Sequence, residues 1–313
     1  MSLTPGNYEN WIPEEYDSDV LRAVNENSVI EAVARRYPMS SDTKQIPRSG
    51  GTSVSVVPKG GTYGQSTHEA DAVVLVAVKF GDVQSVNYED LQDPYVNVVQ
   101  QIQLDWARSY ALTLDNAALA VTGDANGSTR PFNSVYFSVR QSNSKTNYVA
   151  DSNYVASASG GVTYDDLNEV LGKVEQGDFF AEANIRVLAH PAYRQTLRGI
   201  KDNEGRPIFI ETTDTGLSGA QARATLFGHQ VMWSLGARTS AEATDAPEGN
   251  PLLIIANANF LALGVRSGPE SATSGADEGI GFLTDTAAIK IRSRRAFAVT
   301  QEHAVAVLED TSA

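Results

Sequence analysis

The chain has 313 residues, 42% of them hydrophobic, with 24 basic residues against 38 acidic ones and a net charge of −14. That length supports about two domains, or one large domain with extensions, and the acidic excess argues against a surface that grips nucleic acid. The absence of cysteine excludes disulfides and thiolate metal sites, no run of about eighteen apolar residues marks a membrane span, and the first thirty residues lack a basic-then-apolar leader, so a soluble protein without a cleaved leader is expected.

Residues 1 to about 20 mix Pro5, Gly6, Trp11, Pro13 and Tyr16 with acidic groups. They read as an extended arm with aromatic anchors, which needs a neighbour to lie on. Over 18–37, the positions Val20, Leu21, Val24, Val29, Ile30 and Val33 predict one or two helical segments that stop before Pro38. Residues 43–82 change character. Alternating and β-branched stretches at 53–57 and 73–80 flank Gly60, Gly61 and Gly64, which predicts a long two-stranded hairpin with a flexible tip. Its interior is too polar for a core of its own, and an isolated hairpin is marginal in water, so another part of the structure or another subunit should hold it. Residues 83–89 then predict a strand.

The longest predicted element is a helix over 94–122. Asp93 suits its cap, Pro94 its first position, and Gly123 a left-handed stop. Tyr95, Val99, Ile102, Trp106, Tyr110, Leu114 and Ala117 recur at helical spacing, while Gln101, Asp105, Arg108 and Asp115 fall elsewhere on the circumference. One face should therefore lie on something flat and apolar. After Gly123, residues 124–161 are rich in Ser, Asn and Gly and read as a surface excursion with short strands. Thr163 opens a further helix with Asp166 three residues on, and Gly177 closes it. A buried-looking strand at 185–189, a short helix at 192–200 and apolar strands at 227–235 and 251–265 complete a compact α/β region over roughly 130–260. Strand-like stretches at 288–292 and 296–308 end the chain.

Catalytic handles are scarce. The histidines His68, His190, His229 and His303 lie far apart, and none has a second ligand at zinc-site spacing. Ser218 in GLSGA lacks the closing glycine of a nucleophile elbow, and the glycine before Lys173 has no partner of the kind a phosphate-binding loop requires. The carboxylate pairs Glu14 and Glu15, Asp165 and Asp166, and Glu309 and Asp310 are sequence neighbours; on a helix such neighbours point about 100° apart, which suits capping or solvation better than acid–base work. Lys59, beside the hairpin-tip glycines, is a flexible amine that could reach another subunit or simply discourage edge pairing.

Several segments occur together in one order: the Ile46-Pro47 start of the hairpin, VNYEDLQDP at 86–94, LDNAALAVTGDANGSTRPF at 114–132, VLAHPAYRQTLRGIKDNEGRPIF at 187–209, FGHQVMWSL at 227–235 and IKIRSRRAFAVTQEHAVAVL at 289–308. In this order the chain resembles the tailed-bacteriophage major capsid proteins of the Hong Kong 97-type fold. The resemblance implies an α+β structural protein and no enzyme, with an N-terminal arm and helix over 1–42, an E-loop hairpin over 43–82, a P-domain with its spine helix over 83–135, an A-domain over 136–274, and P-domain strands and tail over 275–313.

It further implies hexamers and pentamers of identical copies in an icosahedral virion shell, assembled in the host bacterial cytoplasm. The shell would enclose double-stranded DNA without reading its sequence, with no cofactor, metal or membrane. Portal, separate scaffolding and decoration proteins are the other implied partners; only about twenty residues precede the first helix, so no long scaffolding segment is expected within the chain. The candidates for contact between subunits are Trp11, Tyr16, Arg48, Lys59, Tyr63, Arg294 and Arg295. Some members join an E-loop lysine to an asparagine; Lys59 could be such a lysine, but no partner asparagine matches, so non-covalent stabilisation is expected. The competing readings are an encapsulin-type compartment shell and a soluble α/β enzyme acting through Asp165, His190 or His229.

Overall fold

Ser28 opens the first described element: its side chain accepts from the Glu31 backbone N–H at 3.2 Å and caps helix α1 (Val29–Val33). The computed structural model describes residues 28–49, 54, 56–63, 70–87, 89, 98–158, 160–200, 225–244, 246–274 and 285–312. The N-terminal arm, the expected start of the long helix at Asp93 and Pro94, and His68 lie outside these residues. The chain divides into two units, one formed by 1–25, 82–106 and 271–291, the other by 26–81, 107–270 and 292–313.

Helix α1 stops at Val33, and the helix expected up to Tyr37 gives way to strand β1 (Arg35–Pro38). Two forces favour this: the residue before a proline prefers extended backbone, and an edge is available, since β1 pairs in parallel with β10 (Leu261–Ser274), Arg35 opposite Ala262 and Pro38 opposite Val265. The hairpin strands are β2 (Thr43–Ser49) and β3 (Ala70–Val76), and β4 (Val78–Asn87) follows directly. A four-stranded sheet has the order β1-β10-β11-β4, where β11 is Thr286–Val299.

The α/β region is a six-stranded sheet. Its order is β5 (Tyr154–Ala156), β12 (Val305–Glu309), β9 (Leu252–Asn257), β6 (Ile185–Ala189), β8 (His229–Trp233) and β7 (Thr225–Leu226). Every residue of β9 and β12 is buried, the continuous apolar pattern of a strand covered on both faces. Leu167, Val170, Leu171 and Val174 of helix α4 (Tyr164–Glu175) and Leu197 of helix α5 (Tyr193–Gly199) share one cluster with Ile185, Val187, Leu253, Ile255, Ala306 and Leu308. Thr163 and Asp166 form the capping box that starts α4, as their spacing predicts. The apolar run 251–265 is two strands in two sheets, parted by a turn at Ala258–Phe260. The segment 124–161 is more than a surface excursion, because it carries helix α3 (Val135–Arg140) and the buried Phe132, Val135, Val139 and Tyr148.

Helix α2 (Val98–Leu119) changes along its length. From Tyr110 to Leu112 and from Leu114 to Leu119 every residue is buried, so this half is surrounded rather than laid on one flat face. Asp115 and Asn116 lie inside that zone and are fully buried, against the expectation that Asp115 faces outwards. The Asp115 carboxylate accepts from Ser28 Oγ at 2.6 Å, the Val29 N–H at 2.9 Å, the Ile30 N–H at 3.1 Å and Ser234 Oγ at 2.7 Å. Asn116 donates to the carbonyls of Gly236 and Arg238 and accepts from Ser240 Oγ. Gly236 is required by this approach, since a Cβ there would sit 2.7 Å from the Asn116 nitrogen. The helix ends at Leu119, and Gly123 is not its left-handed stop: its φ is not positive, and its small size instead admits the Arg130 guanidinium, which a Cβ would meet at 2.1 Å.

Burial pushes the Asp115 carboxyl up to about 6, against the four donors. Its contribution to stability is therefore fullest below the ordinary aspartate range and is lost as pH rises to about 6. His190 opposes it. Burial, then Arg238, pull its imidazole down to about 4, and its Nδ1 accepts from the Ala192 N–H at 3.1 Å, so its contribution is present above the ordinary histidine value and is lost as pH falls to about 4. Asp115→Asn should lower stability at pH 7 by about 2–3 kcal/mol, because an amide group would turn N–H donors towards donors. It should also make stability climb more steeply between pH 4.5 and 6.5, and urea midpoints across that range measure both effects.

Candidate assembly surface

The hairpin base is set by seven cross-strand pairs, from Thr43 opposite Val76 to Ser49 opposite Ala70. Strand period places Lys44, Ile46 and Arg48 on the more covered face and Thr43, Gln45, Pro47 and Ser49 on the exposed one. Pro47 is tolerated because a two-stranded ribbon has only edges. Leu75 is fully buried with Met39, Ala262 and Ala296, and Ile46, Tyr37, Ala77 and Ala298 pack around them. Gly264 makes that packing possible, since a Cβ would meet Met39 Sδ at 2.4 Å. The far end of the base is held by charge. Arg48 pairs with Asp71 across the strands and donates to the Thr300 carbonyl at 2.9 Å, and its hydrogen bond, with that of the Ala72 N–H, holds the Asp71 carboxyl below the usual aspartate range. Arg48, expected as a contact between subunits, thus anchors the hairpin to its own chain.

Beyond this base most of the described residues are exposed. The Gly61 N–H donates to the Pro58 carbonyl at 2.8 Å and Gly60 has φ +83°, the geometry of a type II turn with Lys59 and Gly60 at its corners. Lys59 is exposed at that turn. Val54, Val56 and Tyr63 are 96%, 98% and 82% exposed, and the strand expected over 53–57 is absent at the described Val54, Val56 and Val57. Single exposed apolar residues are ordinary, but three on one projection form a surface that burial against a partner would stabilise. Lys59 and Tyr63 are thus both exposed near the tip turn. Val54 and Val56 belong with them, and only the alternation of 53–57, read as strand pairing, signalled them.

The arginines near the C-terminus part company. Arg294 is on the open face of β11, its Nη2 3.3 Å from Asp42. Arg295 is buried, which removes it from the contact candidates: its Nε donates to Glu31 at 2.8 Å and its Nη1 donates to Ser293 Oγ and the Ser267 carbonyl. Tyr110 donates to the same Glu31 at 2.9 Å. Burial, chiefly, raises that phenol well above its ordinary range. Trp11 and Tyr16 lie outside the described residues.

Of the groups weighed for catalysis, Glu14, Glu15, His68 and Ser218 lie outside the described residues and Asp165 is exposed; the others are engaged in the fold. Asp166 caps α4, His190 and His229 are buried, and the His303 ring meets Tyr148 edge-on at 5.1 Å. Glu309 is buried in β12 and accepts from the hydroxyls of Tyr136 and Tyr154 and from the Asn250 amide. Among the described residues no group of three or more His, Asp or Glu side chains is placed to hold a metal ion.

A sequence model described as the phage capsid family matches residues 9–310. A curated relative, the "Probable major capsid protein gp17" of Mycobacterium phage L5, is 23% identical over 211 residues, which is 66% of this chain and 60% of that protein; the chain thus spans about three fifths of the relative's length. Solved structures agree over nearly the whole chain. That of Microbacterium phage Oxtober96 has a TM-score of 0.71 at 17% identity, covering 96% of this chain and 97% of its own, and that of Mycobacterium phage Ogopogo has 0.71 at 15%, covering 98% and 99%. The structure titled "Capsid of native GTA particle computed with C5 symmetry" has 0.71 at 14%, covering 96% and 95%.

Replacement of Arg48 by alanine should leave Asp71 and the Thr300 carbonyl without their cation. Amide hydrogen exchange over 43–49 and 70–76 should then quicken by about tenfold or more, while the six-stranded sheet keeps its protection.

Proposed function

Because the chain belongs to the phage capsid family, we propose that it is the major capsid protein of a tailed bacteriophage, whose identical copies close as hexamers and pentamers into an icosahedral shell around double-stranded DNA. The observation that carries this reading is a hairpin rooted in its own sheet whose tip exposes Val54, Val56 and Tyr63, on a chain that shares the fold of capsid structures over 96–98% of its length. Such a projection is of use to a monomer only as a liability, whereas in a closed ring each tip covers part of the next copy. The family is one of structural proteins and not of enzymes, and the compartment-shell alternative is not favoured beside these relatives.

Within this reading, residues 43–82 serve as the E-loop, α2 with the four-stranded sheet as the P-domain, and the six-stranded sheet with α3, α4 and α5 as the A-domain. Strand β12, grouped by sequence with the C-terminal P-domain strands, goes with the A-domain because its hydrogen bonds run to β9 and β5. A separate scaffolding protein, a portal and a decoration protein complete the virion, and assembly takes place in the host cytoplasm.

Expression with any required scaffold should give closed particles tens of nanometres across in negative-stain images; monodisperse monomers under every assembly condition would overturn the proposal. Excision of 50–69 should abolish particles while leaving the circular-dichroism spectrum of a folded chain. Denaturing gels of wild-type particles should show a single-subunit band, since Lys59 has no matched asparagine; a ladder of multimers would show covalent joining instead.

A further inference from the structure

Four cations from three strands converge on one open cleft of about 470 Å³: Lys79 of β4, Arg266 of β10, and Arg292 and Arg294 of β11, with Ser267 and Glu270 completing the wall. Arg292 and Arg294 share a face because they are two apart on a strand, and the residue between them, Ser293, is buried. Among the described residues, two carboxylates answer them. Arg292 reaches Glu270 at 3.0 Å, while Asp42 is divided between Arg294 at 3.3 Å and Arg266 at 3.8 Å. Arg292 turns both Nε and Nη2 to Glu270, and Arg266 Nη1 donates to the carbonyls of Met39 and Ser40. The side chains of Arg292, Arg294 and Arg266 still keep 53%, 39% and 31% of their exposure, so part of each guanidinium faces the cleft. The cleft is thus an island of positive charge on a chain of net charge −14.

The opposite extreme lies at the start of the sequence. Residues 1–21 contain Glu9, Glu14, Glu15, Asp17 and Asp19 and no lysine or arginine; the first basic residue is Arg22. Copies of so acidic a chain repel one another unless unlike charges meet at their contacts. With a screening length of about 8 Å at physiological salt, only charges brought close together count. We propose that the cleft of Lys79, Arg266, Arg292 and Arg294 receives the acidic segment 9–19 of a second copy. The inference rests on the shell reading above and gives Arg294 and the N-terminal arm a common purpose.

Arginine forks match carboxylates in paired, planar hydrogen bonds, and a short peptide can set its carboxylates between the resident ones. A DNA duplex fits less well. Its phosphates form a continuous rail, and here Glu270 and Asp42, 51% and 64% exposed, would lie against it.

Two charge-reversed chains test the pairing: one carries Arg292→Glu and Arg294→Glu, the other Glu14→Lys, Glu15→Lys and Asp17→Lys. Neither should form particles alone, whereas the five substitutions combined in one chain should restore them, because every arm again meets an opposite cleft. In the equimolar mixture each arm finds an opposite cleft only on the other chain, so complexes containing both chains should form. Particles from either variant alone at wild-type yield would overturn the proposal, as would a combined five-substitution chain that folds but stays unassembled. A mixture that yields no complex of the two chains while the combined chain assembles would also overturn it, by placing the arm on its own cleft. A synthetic peptide of residues 7–21 supplies a readout that does not need shells. Its fluorescence-anisotropy titration against the folded, unassembled chain should weaken at least about tenfold with Arg292→Glu and Arg294→Glu, and with the milder Arg292→Gln and Arg294→Gln should weaken less; equal affinity for all three chains overturns the proposal. So does a duplex oligonucleotide that binds through these arginines more tightly than the peptide. Wild-type chain that binds the peptide but never forms particles would sink the shell reading and leave the cleft assignment standing.

Discussion

A carboxylate deep in the larger unit takes four hydrogen bonds, none of them from a cation, and much of the surrounding chain is positioned by it. Asp115 receives the first two N–H groups of helix α1, the Ser28 hydroxyl and the Ser234 hydroxyl. Its neighbour Asn116 takes the loop at 236–240. Buried polar groups are expensive unless fully paired, and here the pairing joins three segments far apart in sequence. The long helix is therefore fixed by position as well as by hydrophobic contact. A Leu at 115 would fill space equally well but would not select where Ser28 and Ser234 must lie.

Charge is distributed with the same economy. The internal pairs Arg295 with Glu31 and Arg48 with Asp71 hold elements of the unit together, whereas Lys79, Arg266, Arg292 and Arg294 of the four-stranded sheet line one open cleft. The three most exposed large apolar residues among those described, Val54, Val56 and Tyr63, lie together in the sequence between the hairpin strands. In the proposed shell, the unlike charges at such a cleft would offset locally the repulsion that a net charge of −14 sets up between copies.

Periodicity made the local elements legible. The capping pair Thr163 and Asp166, the strand at 185–189 and the helix after it follow from residue type and spacing, and the ordered segments carried the fold as a whole. What escaped was decided by partners distant in sequence. Nothing near Asp115 announces that Ser28 and Ser234 will reach it, so a helical aspartate reads as solvent-facing. Arg294 and Arg295 are consecutive residues of one strand and point to opposite faces, and the position of Glu31 on one of those faces holds the internal one. Residues 35–37 lost a helix to an edge on β10, and 251–265 looked like one strand because both sheets bury apolar residues equally well. At the candidate surface, glycines and alternation located the tip, while the exposure of Val54 and Val56 was not legible, because alternation at 53–57 reads as strand pairing.

The chain passes from the six-stranded sheet to the four-stranded one at 258–260 and returns at 300–304. The two passages are tied together: Thr300 donates to the Phe260 carbonyl from both its N–H, at 2.8 Å, and its hydroxyl, at 3.0 Å. Mechanically, this is a pair of straps running in opposite directions and clamped at the crossing. A single strap would act as a swivel, free to twist. Two clamped side by side leave bending about one axis as the soft mode and resist torsion between the sheets, so a load on one is delivered to the other as a bend of fixed direction.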